Sequence, residues 1–199
     1  LKLKQKLHVL AIFKVLRLLS EMKYSFLLFD LDNTLLDFTK SEEQAIEKTL
    51  ISFDIEPTLE NISLYSTTNG QMWKMLERGE ITRERLRYDR FALFLETLGF
   101  KRDVIKMSTA YEENLSQGYF ILGNAKAVLN VLYKKIPMYA LTNGISTIQH
   151  RRIEGSGIKK YFEEVFISEE IGFNKPDSRY FEKCFSLIKG FNKSKALMI

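Results

Sequence analysis

The stretch Phe26-Leu-Leu-Phe-Asp30-Leu-Asp32-Asn-Thr34 constrains this chain more than any other. Its apolar run reads as a strand buried on both faces, the pattern of a parallel sheet. At its carboxyl end it delivers two aspartates one residue apart, then a threonine in a turn-forming segment. Two carboxylates so close to a buried strand are costly without a task. Residues i and i+2 of an extended segment share a side, so both acids can face one ligand at the carboxyl edge of an open α/β sheet, where such sheets bind ligands.

Beyond Asp37 the periodicity is helical as far as Gly118. Ser41 and Gln44 form a capping-box signature, and Ala45, Ile46, Thr49, Leu50 and Phe53 give an apolar face that stops before Pro57. Further helices are expected up to Glu77, from a Thr82 cap to Gly99, and over about 102–117. Helices without an intervening strand predict an all-α insertion over 38–118, between the first strand and the rest of the sheet. After Gly123 strands and helices alternate. Strands are expected at 136–141, 164–168 and 196–199, with helices around 125–132, 148–154 and 177–189. The fold class is therefore α/β, a parallel-sheet core with an inserted helical layer.

With 199 residues, 45% of them apolar, the chain can bury a sizeable core. The single cysteine, Cys184, falls in an apolar helical pattern with Phe181, Phe185 and Ile188. This excludes a disulfide framework and predicts a buried structural thiol in a reducing, cytoplasmic setting. The net charge of +5 suggests nucleic acid until it is located. Lys2, Lys4, Lys6, Lys14, Arg17 and Lys23 against Glu21 account for all of it, so residues 24–199 balance and no basic groove is expected for a nucleic-acid polymer. Residues 1–21 can form an amphipathic helix, but Lys14 and Arg17 interrupt its apolar run. That segment suits neither a membrane span nor a signal peptide. Because Met22 directly precedes the first strand, residues 1–21 are expected to be an upstream leader outside the native protein.

The strand ends carry the chemistry. Asp30 is a candidate nucleophile, since a carboxylate can attack phosphorus and form an aspartyl-phosphate. Asp32 suits the general acid that protonates the leaving oxygen and the base that later activates water. Thr142 and the N–H groups of Asn143 and Gly144 can hold phosphoryl oxygens, and Lys175 offers a compact positive charge. Two carboxylates beside a dianion call for a hard cation, and oxygen ligands with phosphate select Mg²⁺. Taken singly, Thr-Asn-Gly is an ordinary turn and Lys-Pro-Asp an ordinary helix start. Their order decides the reading: acid pair, threonine and lysine each follow an expected strand of one α/β pattern.

These residues resemble the haloacid dehalogenase superfamily, whose first three motifs match FDLDNT at 29–34, LTNG at 141–144 and NKPD at 174–177. The resemblance implies a Rossmann-like core over 22–37 and 119–199 and a mobile helical cap over 38–118. It makes Asp30 the nucleophile and metal ligand, and Asp32 the acid/base whose backbone carbonyl also binds the metal. Thr142 and Lys175 become phosphate binders. Dehalogenating members lack the second aspartate because their leaving group needs no proton, so Asp32 argues for phosphate chemistry.

The segments Asn69-Gly-Gln-Met-Trp73, Glu77-Arg-Gly-Glu-Ile-Thr82, Arg90-Phe91, Gln149-His-Arg-Arg152 and 167–173 are similar to the pyrimidine 5′-nucleotidase branch. That resemblance implies a nucleoside monophosphate as the small-molecule partner. Trp73, Tyr65 and Phe38 are then candidate walls for the base. The family's fourth, acidic motif is expected just beyond Ile199, so a truncated core and a weak or inactive chain are expected. Alternatives are a phosphatase or phosphomutase for a sugar phosphate or phosphoglycolate, or a nucleotide-binding protein without catalysis. Oligomeric state has no signal in the sequence.

Overall fold

A computed structural model describes residues 23–199. The expectation for residues 1–21 lies outside the described residues. Four strands, β1 (Phe26–Phe29), β2 (Met138–Thr142), β3 (Glu164–Ile167) and β4 (Ala196–Met198), form one sheet in the order β3-β2-β1-β4, with every pairing parallel. Leu28 of β1 pairs with Tyr139 on one side and Met198 on the other, so the strand that carries the acid pair is internal. The helices are α1 (Phe38–Ser52), α2 (Leu59–Glu77), α3 (Arg83–Leu98), α4 (Val104–Ser116), α5 (Ala125–Leu132), α6 (Ser146–Ser156), the short α7 (Ser168–Ile171) and α8 (Ser178–Leu187).

The apolar run of β1 is buried on both faces because helices cover both. Leu27 and Phe29 pack with Leu129 and Leu132 of α5 and Ile153 of α6. Leu28 points the other way, into a cluster with Leu141, Phe166 and Tyr180, Cys184 and Ile188. Cys184 is buried as its helical pattern predicts, and burial pushes its thiol up to about 11.

Helices α1 to α4 follow β1 with no strand between them. All four begin where a short polar side chain accepts a backbone N–H: Asp37 from Lys40, Thr58 from Asn61, Thr82 from Arg85 and Asp103 from Lys106. Gly99 ends α3 at φ 72°, where a Cβ would be strained. The first helix starts earlier than the Ser41 capping box predicts. Asp37 is its N-cap, accepting from Lys40 N, while Asn33 Oδ1 accepts from Phe38 N and Thr39 N. These acceptors meet the first-turn donors of a helix whose N-cap lies four residues before Ser41. Ser41 Oγ is left to reach Gly118 O at 2.8 Å, tying the start of the helical layer to its end.

That layer has its own core of Ile46, Leu50, Tyr65, Phe91, Phe94, Met107 and Tyr111, and this cluster continues into Ile145 and Ile148 beside β2. The rings of Tyr65 and Tyr111 lie 5.1 Å apart, and Tyr65 and Phe94 meet edge to face at 5.6 Å. The helical layer thus rests on the carboxyl end of β2, where Thr142 emerges. Among the described residues no helix is long and apolar enough to cross a membrane.

Candidate active site

Asp30 follows the last residue of β1, and Lys175 sits in the loop between α7 and α8, 145 residues away. Lys175 Nζ donates to Asp30 Oδ1 at 2.7 Å and to Leu141 O at 2.9 Å. Leu31 N donates to the same Oδ1 at 2.8 Å. The lysine is held by a second pair of contacts: its own N–H donates to Asn143 Oδ1 at 2.8 Å, and Asn143 Nδ2 donates back to Lys175 O at 2.9 Å. A carboxamide from the β2 turn therefore stitches the lysine loop to the neighbouring strand.

Asp32 is anchored from α6. Arg152 Nη1 donates to its Oδ1 at 2.5 Å and Gln149 Nε2 to its Oδ2 at 2.7 Å. Gln149 Nε2 also donates to Thr142 Oγ1 at 2.7 Å, and Gly144 N donates to that hydroxyl at 3.1 Å. The Gly144 N–H, expected to face phosphate, is thus engaged by Thr142. Gly144 itself is required by close approach, since a Cβ there would stand 2.5 Å from Gln149 Cγ.

Eight of the nine residues singled out from the sequence line one cavity of about 530 Å³: Asp30, Asp32, Thr142, Asn143, Gly144 and Lys175 from the sheet edge, Phe38 and Trp73 from the helical layer. Tyr65 does not join them. It is fully buried among Phe91, Phe94 and Tyr111, where its ring stabilises the helical layer. Sequence reasoning assigned no role to Gln149, Arg152 or Arg90, which also line the cavity and are each 1% exposed. The available signal was their spacing. Gln149 and Arg152 stand three apart on a helix whose Ile148 and Ile153 are buried, so they share the inward face.

Chemistry placed at the carboxyl ends of parallel strands, beneath an inserted helical layer, is the arrangement of hydrolases built on a Rossmann-like core. A family model described as haloacid dehalogenase-like hydrolase matches residues 24–199, and the chain belongs to that family. Pyrimidine 5′-nucleotidase PynA of Streptococcus pneumoniae is 37% identical over 179 residues, covering 89% of this chain and 76% of PynA. Pyrimidine 5′-nucleotidase YjjG of Escherichia coli is 28% identical over 178 residues, covering 89% and 77%. The crystal structure of HAD-hydrolase YfnB from Bacillus subtilis, bound to magnesium and revealing interdomain movement, matches with a TM-score of 0.85 at 31% identity, covering 88% of this chain and 78% of YfnB.

The donor set here suits such a hard cation. Asp30 Oδ1 is taken up by Lys175 and Leu31, while no described donor bonds its Oδ2. Among the described residues no three His, Cys, Asp or Glu side chains gather into a metal cluster. Mg²⁺ commonly needs no more than one or two carboxylates, keeping waters and substrate phosphate as its other ligands.

Proposed function

We propose that the protein is a Mg²⁺-dependent phosphomonoesterase acting on nucleoside 5′-monophosphates through an aspartyl-phosphate on Asp30. The observation that carries this reading is the Asp30–Lys175 ion pair, 2.7 Å long, in one cavity with Asp32, Thr142 and an aromatic wall. Asp30 attacks phosphorus and the bond from phosphorus to the ester oxygen breaks. Asp32 gives its proton to that oxygen as the alcohol leaves, then takes a proton from the water that attacks the phospho-aspartate. Phosphate departs, leaving Asp30 ionised and Asp32 protonated as at the start. Lys175, Thr142 and Asn143 orient the phosphoryl group, with Gln149 beside them. A bound Mg²⁺, held by Asp30 and the Asp32 carbonyl, would neutralise phosphoryl charge.

Asp32 favours an ester substrate, since an alkoxide must be protonated to leave while a halide need not be. The nucleotidase relatives and the Trp73 and Phe38 wall favour a nucleoside as the leaving alcohol. Residues 38–118 then act as the cap that chooses the substrate, over a core of 22–37 and 119–199 that performs the chemistry. The test is phosphate release by the intact protein from nucleoside monophosphates, sugar phosphates and phosphoglycolate, with Mg²⁺ and with chelator, for the wild type and Asp30→Asn. Mg²⁺-dependent release from nucleotides that Asp30→Asn abolishes, at unchanged melting temperature, is the expected result. Turnover retained by Asp30→Asn removes the covalent mechanism. A sugar phosphate preferred over nucleotides replaces the substrate, and no release from any ester leaves a nucleotide-binding protein.

A further inference from the structure

Arg90 lies in the middle of α3 with 1% of its surface exposed, and it lines the cavity. A guanidinium carries five N–H donors and no acceptor. Nη1 donates to Asn69 Oδ1 at 3.1 Å, but Nε and Nη2 are buried without a hydrogen-bond partner. Glu112 Oε1 forms an ion pair with Nη2 at 3.7 Å, too long for a hydrogen bond. Tyr111, also on the cavity wall, is fully buried with its hydroxyl unpartnered, and the Arg90 guanidinium stacks over its ring at 4.9 Å. Burial pushes the Tyr111 hydroxyl up, so it remains a donor at neutral pH.

These unmet donors are built in, not left over from loose packing. Glu42 of α1 accepts from Asn69 Nδ2 and from Ser66 Oγ, both at 2.6 Å, which turns the Asn69 carbonyl toward Arg90. Three helices fix the guanidinium in one place, with the three N–H donors of Nε and Nη2 unspent. Buried donors without partners are expensive, and a cavity wall is where a ligand can satisfy them.

We infer that Arg90, with Tyr111 beside it, determines specificity by donating hydrogen bonds to acceptor atoms on the leaving group, and so recognises ring carbonyl oxygens. The inference rests on the nucleotide reading above, in which the base is the part of the substrate that carries such carbonyls. A leaving group without acceptors strands the same donors and is discriminated against.

The test compares uridine 5′-monophosphate with phenyl phosphate, whose ring carries no acceptor, in the intact wild-type protein and its Arg90→Lys and Tyr111→Phe variants. The ratio of kcat/KM for uridine monophosphate over phenyl phosphate should fall about 10- to 100-fold in Arg90→Lys, as expected for a hydrogen bond to a charged group. A smaller fall is expected in Tyr111→Phe. A ratio that stays at the wild-type value in both variants overturns the inference. Should Arg90→Lys fail to fold, Tyr111→Phe, which removes only one oxygen, decides alone. If the wild type turns over a sugar phosphate and not the nucleotide, the nucleotide reading falls by itself. The same ratio, taken with that sugar phosphate against phenyl phosphate, then decides the role of Arg90.

Discussion

Arg152 Nη1 lies 2.5 Å from Asp32 Oδ1 and joins α6 to an acid 120 residues earlier in the chain. The same guanidinium donates through Nε to Gly118 O at 2.8 Å. Asp32 is thus referenced to the point where the helical layer ends, and both of its oxygens are occupied by α6 donors. Each oxygen keeps a second lone pair through which Asp32 can exchange a proton with substrate. Arg152→Met should lower kcat by about 100-fold with a smaller effect on KM, the loss expected when general acid–base catalysis is disabled. Because a buried ion pair loses one partner, urea denaturation should also show a loss of about 3 kcal/mol.

Gly144→Ala places a methyl group where Gln149 now sits. Gln149 should be displaced from both Asp32 and Thr142, and a shift of about 1 Å at a reacting group can reduce kcat about 100-fold. Gln149→Ala should show a similar loss. The double variant should be no worse than Gln149→Ala alone, because both changes act through one contact. Additive losses in steady-state kinetics would show that Gly144 acts independently.

Trp73→Ala should raise KM for a nucleoside monophosphate about tenfold, the scale of one base–aromatic stack. KM for a small generic phosphate ester should change less. Equal increases for both substrates would refute contact between Trp73 and the base.

Arg83, at the start of α3, donates to Asn143 O at 3.1 Å and also to Ser168 Oγ and Asn174 Oδ1. Among the described residues it bridges the helical layer to the loops that carry Asn143 and Asn174. Arg83→Ala should speed amide hydrogen exchange across 141–144 and 174–177 and raise KM about tenfold, as expected when a hydrogen-bonded charge is lost. Exchange at the wild-type rate in both loops would show that the layer is positioned by apolar packing alone.

Glu42 supplies a pH signature. Burial raises its carboxyl above the ordinary range, against the lowering influence of Ser66, Asn69 and Arg90, with Glu43 raising it further. The ionised form is therefore disfavoured in the folded state, so this residue detracts from stability as pH rises from about 4.5 through its folded value. Below that window the penalty is absent. Glu42→Gln does not titrate, so its melting temperature relative to wild type should increase across that rise in pH. A difference that is flat with pH would show that Glu42 titrates normally.

Much of this was legible in the sequence, and the rest was hidden for definite reasons. The buried run before Asp30 fixed a parallel strand, and Thr142 and Lys175 had to emerge at ends of the same sheet. Local signals also placed α2 to α4 closely, because Thr82 and Gly99 are capping residues by type. The start of α1 was misread at Ser41, since the competing acceptors Asp37 and Asn33 lie in the loop that follows the acid pair. Tyr65 was misplaced because an aromatic residue on a helix signals burial without saying against what. Gln149 and Arg152 were visible within a segment similar to the nucleotidase branch and as polar residues on an inward face, with no role attached. Their purpose depends on Asp32, which no local pattern connects to them.

Ile145 and Ile148 belong to the cluster of the helical layer although they are carried by the sheet's own loop and helix. Any swing of that layer away from the sheet must wet both side chains, at up to about 1.5–3 kcal/mol for each one fully uncovered. That resistance is entropic in origin near room temperature and slackens in the cold. Admission of substrate and escape of product should therefore be opposed less by this contact as the protein cools, even while the bond-making steps slow.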